Sequence, residues 1–184
     1  MDFFAAVDNR SSAARLSDPV PSADDIKRLL EAAVRAPDHG HLAPWRFFVL
    51  EGASRDQFAD TVVAARRIRT PDVTEEALEA DRQKVRRAPM IIVVACVTQP
   101  GHPKIPVIEQ VLAVGAATQN LLLAAHALGY GAVWKTGPAA YDAHVKASFG
   151  LAAKDHLIAF VHIGSPLAMN PIRPPQLDGK VRRA

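Results

Sequence analysis

Apolar positions along the chain recur at helical spacing in some stretches and run unbroken in others, and each change of period marks an element. A short first helix is predicted from Asp2 to about Asn9, with Phe3 and Val7 on one face. The clearest helix starts at Ser22, which with Asp25 three residues on makes a capping-box-like start. Its stripe of Ile26, Leu29, Leu30, Ala33 and Val34 has no gap, Arg35 suits the negative end, and Pro37 stops it. Arg46 to Leu50 reads as a strand. Ser54 and Gln57 cap a third helix with Phe58, Val62 and Ala65 inward. Asp72 to Arg87 is helical in pattern, but Leu78 and Val85 are its only large apolar residues, so it reads as a solvated cover or lid. Met90 to Val97 is a second strand, and its unbroken apolar run implies burial on both faces.

A loop from Thr98 to Lys104 leads into a long helix, from about Pro106 to Leu128, ended by Gly129. It is apolar nearly all round, so it needs cover on every side, from its own domain or from a second subunit. Its length raises a membrane span, but Thr118-Gln119-Asn120 at the centre and His126 near the end are costly in lipid. Tyr130 to Thr136 reads as a third strand, Tyr141 to Phe149 as a short helix and Leu157 to Ile163 as a fourth strand. Residues 166–184 carry Pro166, Pro171, Pro174 and Pro175 and read as an extended tail. Helices outnumber strands and alternate with them, which gives an α+β or α/β class around one sheet, in a single domain over residues 1–184.

Composition narrows the picture. The chain is 49% hydrophobic and 22% charged, so it has the material for a buried core. A formal charge of +3 is nearly balanced, and no basic stripe is interleaved with aromatics, so a nucleic-acid partner is not expected. The lone Cys96 allows no intrachain disulfide and sits in an apolar run as a small buried thiol. Asp2 and Asp8 stand where a signal peptide would need lysines. The chain reads as soluble, reduced and cytoplasmic, without a membrane segment.

Three segments carry candidate chemistry. Arg10-Ser11-Ser12 places a guanidinium fork beside two hydroxyls, which suits a phosphate and equally an ordinary helix exit. The stretch Arg35 to Arg46 crowds prolines, histidines, an aspartate, a tryptophan and arginines into a connection that a simple turn would not require. His39-Gly40-His41 within it reads as a metal pair only if a third ligand existed, and none stands at a sensible spacing. Trp134-Lys135-Thr136-Gly137 ends a strand with a planar ring, a cation and a hydroxyl, or else fills a core corner with the tryptophan. Gly129-Tyr130-Gly131 closes a helix and opens a strand, the reverse of a dinucleotide fingerprint. There is no GxSxG elbow and no plausible Cys-His pair, so nothing suggests nucleophilic catalysis.

Together, Arg10-Ser11-Ser12, then Arg35-Ala-Pro-Asp-His39 with Pro44-Trp45, then Gly129 to Thr136 resemble the nitroreductase family in order and spacing, most of all its small YdjA-type branch. The resemblance runs from Met1 to about Pro166. It implies an intertwined homodimer of α+β subunits, each with a central, mostly antiparallel sheet flanked by helices, and FMN bound at the subunit interface. It implies that Arg10, Ser11 and Ser12 form the first flavin-binding segment, with Arg10 toward the phosphate. Arg35, Pro37 and His39 would reach the flavin held mainly by the other subunit, and Trp134, Lys135 and Thr136 would lie alongside the isoalloxazine ring. Arg173 is the candidate for a C-terminal cation on the phosphate, and Ala124 to Gly129 matches a stretch assigned to NAD(P)H in close relatives.

What the resemblance implies for activity is ping-pong hydride transfer from NADH or NADPH through flavin N5 to a small-molecule acceptor of nitroaromatic or quinone type. The alternatives are an FMN store or sensor without turnover, and reductive dehalogenation or ene reduction on the same fold. No protein catalytic residue and no metal is expected, because the chemistry belongs to the flavin. The chain departs from the larger members at Ala14, where they carry Lys or Arg against the flavin pyrimidine edge. Lys135 or Arg15 is expected to replace that cation.

Overall fold

The run Met90–Cys96 forms a strand in which every residue is buried, and the rest of the fold is built around it. In the computed structural model, which describes residues 1–182, five strands make one sheet: β1 (Ala13–Ser17), β2 (Trp45–Glu51), β3 (Met90–Cys96), β4 (Gly131–Lys135) and β5 (His156–Met169). Their order is β1-β5-β3-β2, with β4 also paired to β5, and all four pairings are antiparallel. The helices are α1 (Phe3–Asn9), α2 (Ala23–Ala33), α3 (Gly52–Arg69), α4 (Glu75–Arg86), α5 (Val107–Ala127), α6 (Pro138–Tyr141) and α7 (Ala143–Ser148). The α+β class and the mostly antiparallel sheet flanked by helices are as the sequence implied.

Because side chains alternate along a strand, β3 feeds two cores. Met90, Ile92, Val94 and Cys96 pack with Leu29 and Ala33 of α2 and with Val114, Ala117 and Leu121 of α5. Ile91, Val93 and Ala95 pack on the opposite face with Phe58 and Ala59 of α3, Val85 of α4 and Val145 of α7. Helix α5 is long and apolar enough to cross a membrane by length and composition. Here its residues Val114, Ala117 and Leu121 are fully buried against the sheet, while Ile108 and Leu112 stay exposed.

Capping follows side-chain chemistry. Ser22 accepts from the Asp25 amide at the start of α2, at 3.1 Å. Helix α3 begins earlier than expected, at Gly52, through a capping box between Glu51 and Ser54. The expected helix Tyr141 to Phe149 is two short helices parted at Asp142, whose carboxylate accepts from the His144 and Val145 amides. The charged segment is not a loose lid. Leu78 is fully buried and Val85 nearly so, and Arg82–Asp60 at 3.1 Å and Arg86–Asp56 at 2.9 Å tie α4 to α3.

Two features were absent from the sequence reading. Strand β1 was not anticipated, and β5 continues to Met169, into the stretch read as tail. The two pair with each other, from Ala13↔Met169 to Ser17↔Ser165. Gly131 of β4 and Gly164 of β5 face each other in register. A Cβ on Gly131 would meet Leu16 Cδ2 at 2.7 Å, and one on Gly164 would meet the Ser17 carbonyl at 2.7 Å. These two bare positions let β1 lie close over the junction of β4 and β5.

Candidate functional site

The close seating of β1 brings the N-terminal segment to the end of β4, and a cavity of about 840 Å³ opens there. Ser12 and Ala14 line it from the β1 side, and Trp134, Lys135 and Thr136 from the β4 end. The Ser12 carbonyl accepts from the Asn170 amide at 3.0 Å, which fixes the N-terminal segment to the end of β5. Trp134 Nε1 donates to the Ile158 carbonyl at 3.1 Å, so the indole is held in one orientation. Helices α3 and α4 close the cavity with Phe58, Val62, Lys84 and Val85. The segment expected as a cover or lid thus forms a wall of the cavity, tied to α3 by ion pairs.

The lining is electropositive. Arg66, Arg69, Lys84, Arg87 and Lys135 line it against the single carboxylate of Asp81. Two of these cations are compensated: Lys84 pairs with Asp81 at 2.7 Å, and Arg69 pairs with Asp142. Burial pushes the Asp142 carboxyl up, but the Arg69 hydrogen bond, the Val145 and His144 amides and the Arg69 charge together lower it. Arg66, Arg87 and Lys135 have no side-chain hydrogen bond or ion pair among the described residues. Arg66 Nε is in addition fully shielded from solvent. His162, in the middle of β5, also lines the cavity and is 8% exposed. Burial first, then Lys135 and Arg87, push its pKa down to about 4, so the ring is neutral at working pH. A neutral imidazole offers one N–H donor and one bare nitrogen.

The sequence-predicted residues divide into three places. Ser12, Trp134, Lys135 and Thr136 share the cavity. Ser11 lines a smaller, mostly apolar depression of about 500 Å³ with His126, Gly129 and Tyr130, next to the same Asn170. His126 Nε2 is buried there without a partner among the described residues. Arg10, the residue that ends α1, lines neither depression.

Arg35, Pro37 and His39 lie elsewhere on the surface, outside the lining of both depressions. There Nδ1 of His39 meets Glu109 of α5 at 2.6 Å. The backbone of this loop is strained: Gly40, His41 and Ala43 all have positive φ, at 70°, 53° and 46°. The Asp38 carboxylate holds the bend by accepting from the Ala43 amide at 2.6 Å. Arg173 is exposed and lines neither depression, but it directly follows Pro171 and Ile172, which line the smaller one beside Ser11. Among the described residues no three His, Cys, Asp or Glu side chains gather in a metal-binding group.

Apolar residues stand exposed toward both ends of α5: Ile108 and Leu112 beside the Glu109 that meets His39, and Phe3 and Phe4 on α1, which borders the other end near His126. Phe3 and Phe4 of α1 and Ile108 and Leu112 of α5 are each at least 60% exposed. Helix α1 and the 39–41 turn both pack on α5. Exposed aromatic and aliphatic side chains on elements that share one helix form a surface suited to burial by another protein surface.

Sequence reasoning did not select Arg66, Arg87 or His162. Arg66 and Arg87 sit in charged stretches that read as solvated faces, and His162 is a single polar residue in an apolar strand. No local pattern distinguishes them; only the closure of α3 and α4 over the sheet does.

Known proteins match both the sequence and the shape. The family model described as "Nitroreductase family" matches residues 7–165. The Escherichia coli K12 protein named "Putative NAD(P)H nitroreductase YdjA" is 34% identical over 166 residues, spanning 90% of this chain and 89% of that protein. A nitroreductase-like family protein from Bacillus cereus superposes with a TM-score of 0.83 at 26% identity, covering 100% of this chain and 96% of its own. A Desulfovibrio desulfuricans protein described as a "putative nitroreductase in complex with FMN" gives a TM-score of 0.76 at 27% identity, covering 98% and 95%.

Proposed function

Because the chain belongs to the nitroreductase family, we propose that it is an FMN-dependent oxidoreductase that moves a hydride from NADH or NADPH to a nitroaromatic or quinone-type acceptor. The observation that carries the reading is the cavity in which Ser12, from the start of the chain, meets Trp134, Lys135 and Thr136, from the end of β4. Its size suits a flat tricyclic ring, since sites for such ligands fall between about 300 and 1,000 Å³. Its walls supply what the ring needs: a fixed indole, apolar Phe58, Val62 and Val85, and an uncompensated cation. When bound, the flavin supplies hydride acceptance and donation at N5, which no side chain here can perform.

The residues of the chain bind, orient and tune. Lys135 presents an ammonium group to the cavity, where it favours the form of the cofactor that carries negative charge. Ala14 lines the same cavity without a charge, so the role of the missing cation falls to Lys135 rather than to Arg15, which is exposed and outside the lining. Ser12 lines the cavity, and Arg10 stands two residues before it for a phosphate. Arg173 is retained as a second phosphate cation that docks on assembly.

Arg35, Pro37 and His39 act in the partner's site. That reading rests on their place outside this chain's own cavity lining and on the exposed Ile108 and Leu112 that flank Glu109, the partner of His39. A second copy would cover Phe3, Phe4, Ile108 and Leu112 and present the strained loop to a neighbouring cavity. A homodimer with flavin at the interface satisfies both observations.

The test is direct. The purified protein is yellow, releases FMN on denaturation, and bleaches anaerobically on addition of NADH or NADPH. A protein that holds flavin but is not reduced by either nucleotide would be a flavin store instead. A protein that stays colourless with added FMN would sink the reading altogether.

A further inference from the structure

The charge in the cavity exceeds what the flavin reading consumes. In that reading the phosphate belongs to Arg10 and Arg173, neither of which lines the cavity, and one ammonium, that of Lys135, serves the reduced ring. Lys84 and Arg69 are neutralised by Asp81 and Asp142. Arg66 and Arg87 remain. They enter from different elements, Arg66 from α3 and Arg87 from the residue that closes α4. Neither has a hydrogen bond or ion pair among the described residues, and Arg66 Nε is shielded from water as well. A buried, unpartnered guanidinium nitrogen loses its hydration without replacement, which is unfavourable for a charged group. Arg66, the more exposed Arg87 and the 8% exposed His162 line one cavity, and such a set of donors suits an anion.

We propose that Arg66 and Arg87, with His162 as a neutral hydrogen-bonding neighbour, form an anion subsite that selects electron acceptors bearing an acid group. The inference rests on the flavin reading above and names its acceptor class: a nitroarene or quinone with a carboxylate or an equivalent anion. Guanidinium forks bind a carboxylate through paired N–H donors, a geometry a neutral analogue does not satisfy. His162, neutral because of burial and the adjacent Lys135 and Arg87, adds a donor without adding charge. Of the other ionisable groups of the lining, Arg69, Lys84 and Asp81 are engaged in ion pairs, and Lys135 serves the flavin ring.

The probes are 4-nitrobenzoate and 4-nitrobenzyl alcohol, which share the nitroarene and differ in charge. In the holoenzyme the ratio of their kcat/KM values favours the benzoate. Arg66→Gln and Arg87→Gln each lower that ratio about tenfold, the loss of one charge-assisted contact, mainly through the KM for the benzoate. Arg66→Lys, which keeps the charge, recovers part of the preference. Calorimetric titration of the purified protein shows tighter binding of the benzoate than of the alcohol, and the Gln variants erase the difference.

Other outcomes overturn the proposal. Equal losses with both nitroarenes would make the arginines structural. Weaker binding of FMN with unchanged binding of riboflavin would place the flavin phosphate on them, and a selective rise in KM for NADPH over NADH would place the donor's phosphate there. Failure of the wild-type protein to bind flavin would instead remove the flavin reading, and the calorimetric preference would still decide whether these arginines hold a carboxylate.

Discussion

At the scale of single residues, His162 couples the cavity to stability. Its ring titrates near 6.5 in an unfolded chain but only at about 4 when buried beside Lys135 and Arg87. The unfolded state therefore binds the extra proton first as pH falls. The stability tied to His162 is complete above pH 6.5 and declines from there toward pH 4. The loss between pH 7 and pH 5 is about 2 kcal/mol for this group, read as a drop in the urea midpoint. His162→Gln removes that portion; an unchanged pH dependence would show the ring to be solvated. Cys96 gives a second check. Burial, reinforced by Asp155, pushes its thiol up to about 11, so a disulfide reagent at pH 8 reacts only after unfolding. Lys135→Met lowers the two-electron potential of bound flavin by about 30 mV, equivalent to about 1.4 kcal/mol; an unchanged potential would return the role to Arg15.

At the scale of elements, α4 shows how a mostly charged helix becomes part of a site. Two apolar residues suffice because Leu78 is fully buried against α3 and the ion pairs to Asp60 and Asp56 hold the flanks. Leu78→Ala leaves a void worth about 2–5 kcal/mol, and it frees the wall that carries Lys84 and Val85. Thermal unfolding and flavin affinity should fall together; a stable variant with intact affinity would mean that the ion pairs alone seat the helix. The helices and inner strands were legible because their periods are strong, α2 by its stripe and cap and β3 by its unbroken apolar run. Strand β1 was not legible. Ala-Ala-Arg-Leu-Ser has no alternating apolar pattern, and its partner includes Pro166, which reads as a break. A proline is tolerated where a strand is paired along one edge only, and the end of β5 is such a place. The cavity lining was legible in part for the same reason. Short contiguous motifs such as Trp134–Thr136 stand out in sequence, whereas Arg66, Arg87 and His162 meet only after three separate elements have folded.

At the scale of the whole molecule, each proposed site needs two chains: one gives Ser12 and Trp134–Thr136, the other Arg35 and His39. Subunits carrying His39→Ala and subunits carrying Lys135→Met therefore complement each other. Random pairing makes half the dimers mixed, and each mixed dimer has one wholly intact site, so about one quarter of all sites regain both residues in a two-fold assembly and activity rises above the mean of the two parents. No recovery on mixing would put both residues in one chain's site. The pairing of Ala13 with Met169 has a further, temporal consequence. Its partners are more than 150 residues apart, and so long a loop closes late, after the local contacts of α3 with α4 and the pairing of β2 with β3 across those two helices have formed. The same seam is the natural one to open first, because β1 is short and contributes only Ala13 to the fully buried set. Amide hydrogens of Ala13 to Ser17 therefore exchange faster than those of Met90 to Cys96, and added FMN slows the first group selectively. Ligand capture then becomes the last step of folding, and the vacant protein breathes at the place where its phosphate cradle begins.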